Sequence, residues 1–307
     1  MLLIAGPTAS GKSSLAVALA ERLEKAIIIN ADSMQIYRDL RIVTARPTPQ
    51  EESRLTHFCS GTIDGSSGLS VAAWRDKAAR VLEQSGDKPA IFVGGTGLYF
   101  RALTDGLAPI PDIPDAIRKT VRERLAQEGP VALHGELDAA MAEQLSPTDS
   151  QRVARALEVL LATGQSLAAW QKLPPQGAVV ALDQTRHVVL APPRAWLEQR
   201  IRTRAESMLC EEALDEVRAL RARDLSPDLP VMRAIGVSVI SAYLDGDMTR
   251  ADALDALTIE TRRYAKRQAT WFRGQMGDWP RLDPSQMSVD AMADWMLNEE
   301  NACAHGF

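Results

Sequence analysis

An eight-residue block near the start of the chain, Gly6-Pro7-Thr8-Ala9-Ser10-Gly11-Lys12-Ser13, constrains the fold more than any other feature. It follows a short apolar run at residues 2–5 and opens a helical pattern that extends from Lys12 to Leu23. Its glycines let the backbone curl so that N–H groups point inward, and the helix N-terminus adds partial positive charge. The block matches the phosphate-binding P-loop at every fixed position and in its strand-to-helix context. The sequence therefore predicts a diphosphate or triphosphate site in which Lys12 reaches the outer phosphates and Ser13 ligates Mg²⁺.

Three more short apolar runs read as strands, and each of them ends in a polar, glycine-rich or proline turn. They span residues 26–30, 89–93 and 187–191. Short apolar strands that alternate with helices indicate βαβ units and a parallel sheet covered on both faces. Ligands in such sheets bind at the carboxyl ends of the strands. The predicted fold is therefore an α/β, P-loop nucleotide-kinase-like core in which the strand exits share one site.

The pattern changes to helices only between Asp112 and Pro175. We interpret 112–175 as a small helical insertion domain in a core made of residues 1–111 and 176–307. Within the insertion, Ser150 is predicted to cap a helix over 151–163 that ends before Gly164. Its predicted apolar face consists of Val153, Leu157, Leu160 and Leu161. The last twenty or so residues of the chain carry weak signals, and we expect them to be loosely packed.

Composition indicates a packed globular protein, because 46% of the residues are hydrophobic and 24% are charged. No apolar stretch is long enough for a membrane span, and the N-terminus lacks a basic region and a cleavage site for export. The three cysteines lie far apart, which argues against disulfides and zinc. We therefore expect a soluble, cytoplasmic monomer without membrane contact. With a net charge of −5, any binding to RNA must use local basic patches.

A P-loop alone does not identify the reaction, because kinases, GTPases, ATPases and some transferases share it. The guanine-reading pattern Asn-Lys-x-Asp does not occur in the chain, which disfavours a GTPase. Asp32, directly after a predicted strand, could ligate Mg²⁺, act as a base toward a substrate, or cap the next segment. A nucleotide or small-molecule kinase that uses ATP is the main alternative function. A non-catalytic RNA-binding protein and an interaction scaffold are the alternatives from other classes.

Further blocks extend the P-loop into a pattern that resembles the bacterial tRNA dimethylallyltransferases, or isopentenyl-tRNA transferases. The resemblance runs in order from residue 4 to about residue 273. Asp32-Ser33-Met34-Gln35-Ile36-Tyr37 and Gly94-Gly95-Thr96-Gly97-Leu98-Tyr99 are its most specific blocks. The blocks at 44–48, 151–159 and 261–268 complete it.

The resemblance implies transfer of a dimethylallyl group from dimethylallyl diphosphate to the exocyclic amine of the adenosine 3′ of the anticodon, position 37, with release of diphosphate. It further implies Mg²⁺ as the cofactor, and the anticodon stem-loop of tRNA as the partner. Asp32 resembles the family's general base, and Thr96 matches the threonine where the base meets the prenyl group. Arg204 resembles the arginine that clamps the diphosphate, with Arg200 and Arg202 as close competitors.

The residues expected by resemblance to contact tRNA fall into several patches. They are Asp32, Ser33, Met34, Gln35, Thr96, Arg118, Gln151, Arg152, Val153, Ala154, Arg155, Arg233 and Gly236. A basic segment from Arg262 to Arg273 also carries Tyr264 and Trp271, which either stack on bases or belong to the core. The chain departs from the family pattern at Val237-Ser238-Val239 and at Arg46, where lysine is usual, as well as around His57.

Overall fold

The computed structural model describes residues 1–298, which form a parallel sheet covered by helices. The sheet contains six strands in the order β3-β2-β4-β1-β5-β6. Their bounds are β1 (Leu2–Ala5), β2 (Ile27–Asn30), β3 (Thr56–Phe58), β4 (Ala90–Gly94), β5 (Arg186–Leu190) and β6 (Arg281–Leu282). Every neighbouring pair is parallel, so the predicted α/β class is confirmed. The two edge strands were not predicted, because β3 and β6 are too short to show an apolar run.

Helices connect and cover the strands. Their bounds are α1 (Lys12–Arg22), α2 (Pro49–Arg54), α3 (Val71–Ser85), α4 (Gly97–Thr104), α5 (Asp115–His134, broken at Gly129), α6 (Ala139–Gln144), α7 (Ser150–Thr163), α8 (Leu167–Gln171), α9 (Arg194–Ser207), α10 (Glu211–Arg221), α11 (Val237–Leu244), α12 (Arg250–Gln275) and α13 (Val289–Leu297). No helix within residues 1–298 is long and apolar enough to cross a membrane.

Alternate residues of the central strand β1 face opposite sides of the sheet, as the two-residue period of a strand requires. Leu2 and Ile4 pack in a cluster with residues of α1 and α13, whereas Leu3 and Ala5 pack with residues of α3, α4 and α12. Both faces of the sheet are therefore buried. The strands consequently appear in the sequence as continuous apolar runs rather than as an alternating pattern.

The C-terminal segment is packed more firmly than its sequence suggests. Helix α13 buries Met292, Ala293 and Met296 against the cluster that contains α1. Ion pairs from Arg22 to Asp290 and Asp294, both 2.6 Å, join the same two helices. The expectation of loose packing is thus wrong for residues 289–297, and the residues after 298 lie outside the described part of the chain.

The chain divides into two compact units, Met1–Thr104 with the chain from Val179 onward, and Asp105–Ala178. The second unit contains α5 to α8 and begins earlier and ends later than the predicted boundaries 112 and 175. The reason is an antiparallel bridge in which Leu107 and Gln176 exchange backbone hydrogen bonds of 2.9 and 2.8 Å. This pairing ties both ends of the unit together beyond the prolines that mark the predicted boundaries.

Two details of α7 in the second unit differ from the prediction. The cap is Asp149, whose side chain accepts a hydrogen bond of 3.2 Å from the Arg152 N–H, while Ser150 is already the first helical residue. Leu161 is 52% exposed, because α7 buries the arc around Val153, Leu157 and Val159 instead. Gly164 ends the helix in a left-handed conformation, as predicted.

Candidate active site

The predicted P-loop connects β1 to α1 with the backbone that phosphate binding requires. Gly11, the residue before α1, has φ 91°, a conformation that favours glycine. A Cβ at Gly6 would lie 3.0 Å from the Leu190 carbonyl oxygen of β5, so the loop approaches the neighbouring strand closely. The Lys12 ammonium curls back over the loop and donates to the Pro7 carbonyl oxygen at 2.6 Å.

A cavity of about 670 Å³ opens above the P-loop at the carboxyl ends of the strands. Lys12 and Ser13 line one part of it, and Asp32 and Gln35 line another. Helix α9 contributes a stripe of residues at the spacing of one helical face, namely Trp196, Gln199, Arg200, Thr203, Arg204 and Ser207. Sequence reasoning considered only the arginines of this stripe. The three-and-four spacing of its polar residues was a signal that could have identified the whole face.

The structure separates the three arginines that the sequence left as competitors for the diphosphate. Arg204 donates through Nη1 to the Thr8 hydroxyl, and its buried Nε has no hydrogen-bond partner among residues 1–298. Arg200 donates through Nε to the Ala9 carbonyl at 2.9 Å. Arg202 lies away from the loop, 3.5 Å from Asp255. Arg204 and Arg200 are therefore the pair that reaches the P-loop.

Two cations of this cavity, Lys12 and Arg204, are half-buried and close enough to affect each other electrostatically. Burial lowers the pKa of Lys12 to about 8, an effect that Asp32 opposes and Arg204 adds to. Burial likewise lowers the pKa of Arg204. Two desolvated cations beside the P-loop favour an anionic ligand, because its charge would replace the lost hydration. The site thus fits a di- or triphosphate group.

Asp32 follows β2 and uses its two carboxylate oxygens differently. Oδ1 accepts a hydrogen bond of 2.9 Å from the Met34 N–H, so the side chain closes a local turn. Oδ2 lies 3.3 Å from the position of a Cβ built on Gly95 and has no hydrogen-bond partner among residues 1–298. Oδ1 therefore has the local capping role that was one of the three alternatives for Asp32, while Oδ2 remains available to a substrate.

Thr96 joins the loop after β4 to the loop after β2. Its hydroxyl accepts a hydrogen bond of 2.9 Å from the Ser33 N–H and lies 3.2 Å from the Ser33 hydroxyl. A Cβ at Gly94 would overlap the Ala31 backbone, so the close approach of the two loops requires glycine there. Thr96 consequently stands next to the Asp32 loop.

The other candidates of the first unit have structural partners. Gln35 donates to the Ala45 carbonyl at 2.8 Å, and buried Arg46 donates to the Tyr37 carbonyl at 3.2 Å, so both side chains brace the loop beside the cavity. Exposed Arg233 pairs with Asp228. Gly236 is buried at the start of α11 with φ 99°. At positions 237–239, where the sequence departs from the family pattern, only Ser238 is exposed. Val237 and Val239 are buried, so this stretch mainly packs in the core.

The candidates of the second unit fall into exposed and buried groups. Gln151 and Arg152 are exposed, whereas Val153 and Ala154 are fully buried at 0%. The side chains of Val153 and Ala154 therefore belong to the core and do not reach solvent. Arg155 lies 3.8 Å from the buried Glu158 carboxylate. On α5, Arg118 lies 3.7 Å from Asp115, and Arg122, which sequence reasoning missed, lies 2.8 Å from Glu158.

Tyr264 and Trp271 of α12 pack into the first unit. Burial raises the pKa of Tyr264, and the nearby Asp32 charge raises it further. A Cβ at Gly97 would overlap the Trp271 ring, so this ring packs directly on the glycine loop. This contact favours the core alternative for Trp271, which packs against the core cluster of the sheet, whereas half-buried Tyr264 lies near the Asp32 charge. The basic residues of α12 between positions 262 and 273, by contrast, are exposed: Arg262, Arg263, Lys266, Arg267 and Arg273.

Comparison with known proteins identifies the relatives of this chain. The family described as IPP transferase matches residues 35–275. A tRNA dimethylallyltransferase of Rhizobium johnstonii is 51% identical over 290 residues, which cover 92% of this chain and 96% of that protein. One of Rhodopseudomonas palustris is 49% identical over 297 residues, covering 93% and 88%.

Solved structures extend the comparison to the whole fold. The crystal structure of a full-length tRNA isopentenylpyrophosphate transferase from Bacillus halodurans is 32% identical, with a TM-score of 0.66 and coverage of 95% of this chain and 92% of that chain. A eukaryotic dimethylallyltransferase, described as acting on tRNA, has a TM-score of 0.74 at 26% identity, with coverage of 98% and 76%.

Proposed function

Because the chain belongs to the IPP transferase family, we propose that its cavity holds dimethylallyl diphosphate and delivers the dimethylallyl group to a tRNA adenosine. The activity is that of a tRNA dimethylallyltransferase. The proposed acceptor is the exocyclic amine of the adenosine 3′ of the anticodon, position 37. One observation carries the assignment: the P-loop cations and the Asp32 carboxylate line the same cavity.

The cationic side of the cavity suits the leaving group. As the allylic carbon–oxygen bond breaks, its electron pair departs with the diphosphate, and negative charge increases there. Lys12, Arg204 and Arg200 lie around the loop that would hold this group. They stabilise the transition state more than the ground state, because the charge that they oppose is largest there.

Magnesium is proposed to bind at Ser13, in the first turn of α1. No group of three or more His, Cys, Asp or Glu side chains within residues 1–298 could hold a metal ion by itself. A P-loop site does not need one, because a serine hydroxyl and the phosphate oxygens supply the ligands. The exposed Ser13 lines the cavity and fits this role. When bound, Mg²⁺ would neutralise charge on the diphosphate.

The Asp32 side of the cavity suits the nucleophile. An adenine amine is weakly nucleophilic and gains a bond to carbon only if it loses a proton. Asp32 Oδ2, free of the turn that Oδ1 closes, is proposed to accept that proton. Thr96, which is hydrogen-bonded to Ser33 beside Asp32, is proposed to position the adenine. The nitrogen–carbon bond thus forms as the carbon–oxygen bond breaks, and the proton passes to Asp32.

RNA contact is proposed at two sets of residues. Ser33, Met34 and Gln35 follow Asp32, and Gln35 lines the cavity. Arg118, Gln151, Arg152 and Arg155 lie on the second unit. Arg233 and the basic face of α12 are further candidates. Arginine side chains of this kind bind phosphates of the RNA backbone without reading its sequence.

The test is transfer of label from radiolabelled dimethylallyl diphosphate to unmodified tRNA with Mg²⁺ and without ATP. We expect label in the tRNA at the adenosine 3′ of the anticodon. A parallel reaction with γ-labelled ATP and small acceptors tests the kinase alternative. Phosphorylation in that arm, without prenyl transfer in the first, would refute the proposed function.

A further inference from the structure

Gln268 of α12 is a buried polar side chain whose amide oxygen and amide nitrogen both make hydrogen bonds. It is 6% exposed. Its Oε1 accepts a hydrogen bond of 2.8 Å from the Thr8 N–H, and its Nε2 donates to the Gly95 carbonyl at 2.9 Å. Because a backbone N–H can only donate and a carbonyl can only accept, these two bonds fix the orientation of the amide.

The two partners of Gln268 belong to two loops with different proposed tasks. Thr8 lies in the P-loop after β1, which would hold the diphosphate. Gly95 lies after β4 and leads directly to Thr96, which would position the adenine. The strands β1 and β4 are neighbours, with Ala5 opposite Gly94. One side chain therefore joins the leaving-group side of the reaction to the nucleophile side.

The packing around this bridge leaves little freedom. A Cβ at Gly95 would overlap Gln268 Nε2, so the amide lies directly on the glycine backbone. Thr8 is held a second time, because its hydroxyl accepts a hydrogen bond from Arg204 of α9. The P-loop residue is thus bonded to α9 through its side chain and to α12 through its backbone.

We propose that Gln268 is a positioning residue for prenyl transfer. It fixes the separation between the diphosphate in the P-loop and the adenosine amine beside Thr96. The inference rests on the proposed function. A displacement of about 1 Å between reacting groups costs on the order of 10²-fold in rate, so a bridge of this kind matters chiefly in the chemical step.

If the Gln268 amide only stabilised the fold, its removal would have different effects. Its loss would lower the melting temperature and reduce activity only in proportion to the folded fraction. The positioning role instead predicts a slower chemical step in enzyme that is folded and saturated with both substrates. Single-turnover rates, measured beside substrate dissociation constants and thermal melting, separate the two roles.

Three variants provide the test. Q268M removes both hydrogen bonds at similar volume, and Q268E keeps the acceptor but loses the donor when ionised. Q275E is the matched control, since Gln275 is an exposed glutamine of the same helix that binds Arg101 at 2.7 Å. We expect Q268M to lower the saturated single-turnover rate on the order of 10²-fold, with dissociation constants like those of the parent.

Q268E adds a readout that depends on pH. A protonated carboxyl group can donate to the Gly95 carbonyl and accept from Thr8, as the amide does. Burial raises the pKa of such a carboxyl group. The rate of Q268E relative to the parent should therefore rise about tenfold or more as the pH falls from about 9 to about 6, while Q275E shows no change.

The parent and the Q268E variant share the other charged and titratable groups around position 268. Because these groups make both rates depend on pH, the quantity to compare is the rate of Q268E divided by the rate of the parent. The groups are Lys12 on α1, Asp32 after β2, Arg204 on α9, and Tyr264 and Arg267 on α12. A folded Q268M with the parental single-turnover rate would overturn the inference. If the parent itself transfers no label, the proposed function fails and the inference fails with it.

Discussion

Asp32 illustrates how one side chain serves both structure and chemistry. One oxygen closes the turn to Met34, and the other has no hydrogen-bond partner within residues 1–298. An amide can still present an oxygen to the Met34 N–H, so it preserves the turn. The same amide cannot accept a proton from the substrate amine.

D32N should therefore keep its fold and tRNA affinity but lose on the order of 10²–10⁴-fold in the chemical rate, the usual range for a positioned base. Single-turnover prenyl transfer measures the rate, and filter binding measures tRNA affinity. An unchanged single-turnover rate would show that the turn is the whole role of Asp32.

Arg204 and Arg202 form a matched pair, because both lie on α9 but face different partners. Arg204 reaches Thr8, whereas Arg202 lies near Asp255. R204A should weaken diphosphate affinity by about 2–3 kcal/mol, in line with loss of a charged hydrogen bond. R202A should leave affinity unchanged. Titration calorimetry with inorganic diphosphate tests both, and equal losses in the two variants would contradict the assignment.

Helix α13 shows, at the scale of an element, how apolar burial and surface ion pairs differ in their contribution to stability. Met292 and Met296 are buried against α1, while the Asp290 and Asp294 carboxylates that face Arg22 are largely exposed. Removal of a buried side chain creates a cavity, whereas an exposed ion pair is screened by water.

M292A should accordingly lower the free energy of unfolding by about 2–5 kcal/mol, and R22A by less than about 1 kcal/mol. Urea titration followed by circular dichroism measures both changes. A loss in R22A as large as that in M292A would mean that the ion pairs, not the apolar contact, hold α13 in place.

At the scale of the whole molecule, a net charge of −5 gives little long-range attraction to tRNA. Binding must depend on local arginines, such as Arg152 and Arg155 of the second unit. The lining of the P-loop cavity comes from the first unit. Loss of these two arginines should thus affect RNA affinity without affecting the diphosphate site.

The double variant R152A/R155A should bind tRNA more weakly and with a shallower dependence of log affinity on log salt, by about 0.7 to 0.9 for each lost phosphate contact. Diphosphate affinity should not change. Filter binding at several salt concentrations measures the slope. The control R80A/K88A removes the same charge from the first unit. Identical behaviour of both double variants would place the RNA surface elsewhere.

The sequence by itself determined those features whose residues are contiguous along the chain. The P-loop, the strand exits at Asp32 and Gly94, and the glycine that ends α7 are each specified by local backbone requirements. The α/β class followed from the alternation of strands and helices. Asp32 was identified from its place after a strand, whereas its role as the base and the choice of Thr96 came from the family resemblance. The structure places the loops of these two residues side by side.

Only the tertiary structure decided which side chains meet across long sequence separations. The spacing along α9 groups Arg204 with Arg200 on one face and leaves Arg202 off it, but only the packing of α9 shows that this face meets Thr8. Val153 and Ala154 are buried because α7 packs on α5. Gln268 meets Thr8 and Gly95 because α12 crosses the ends of two strands that are distant in the sequence. Such pairings form only when the core assembles, since each element then buries the one face that its neighbours leave open.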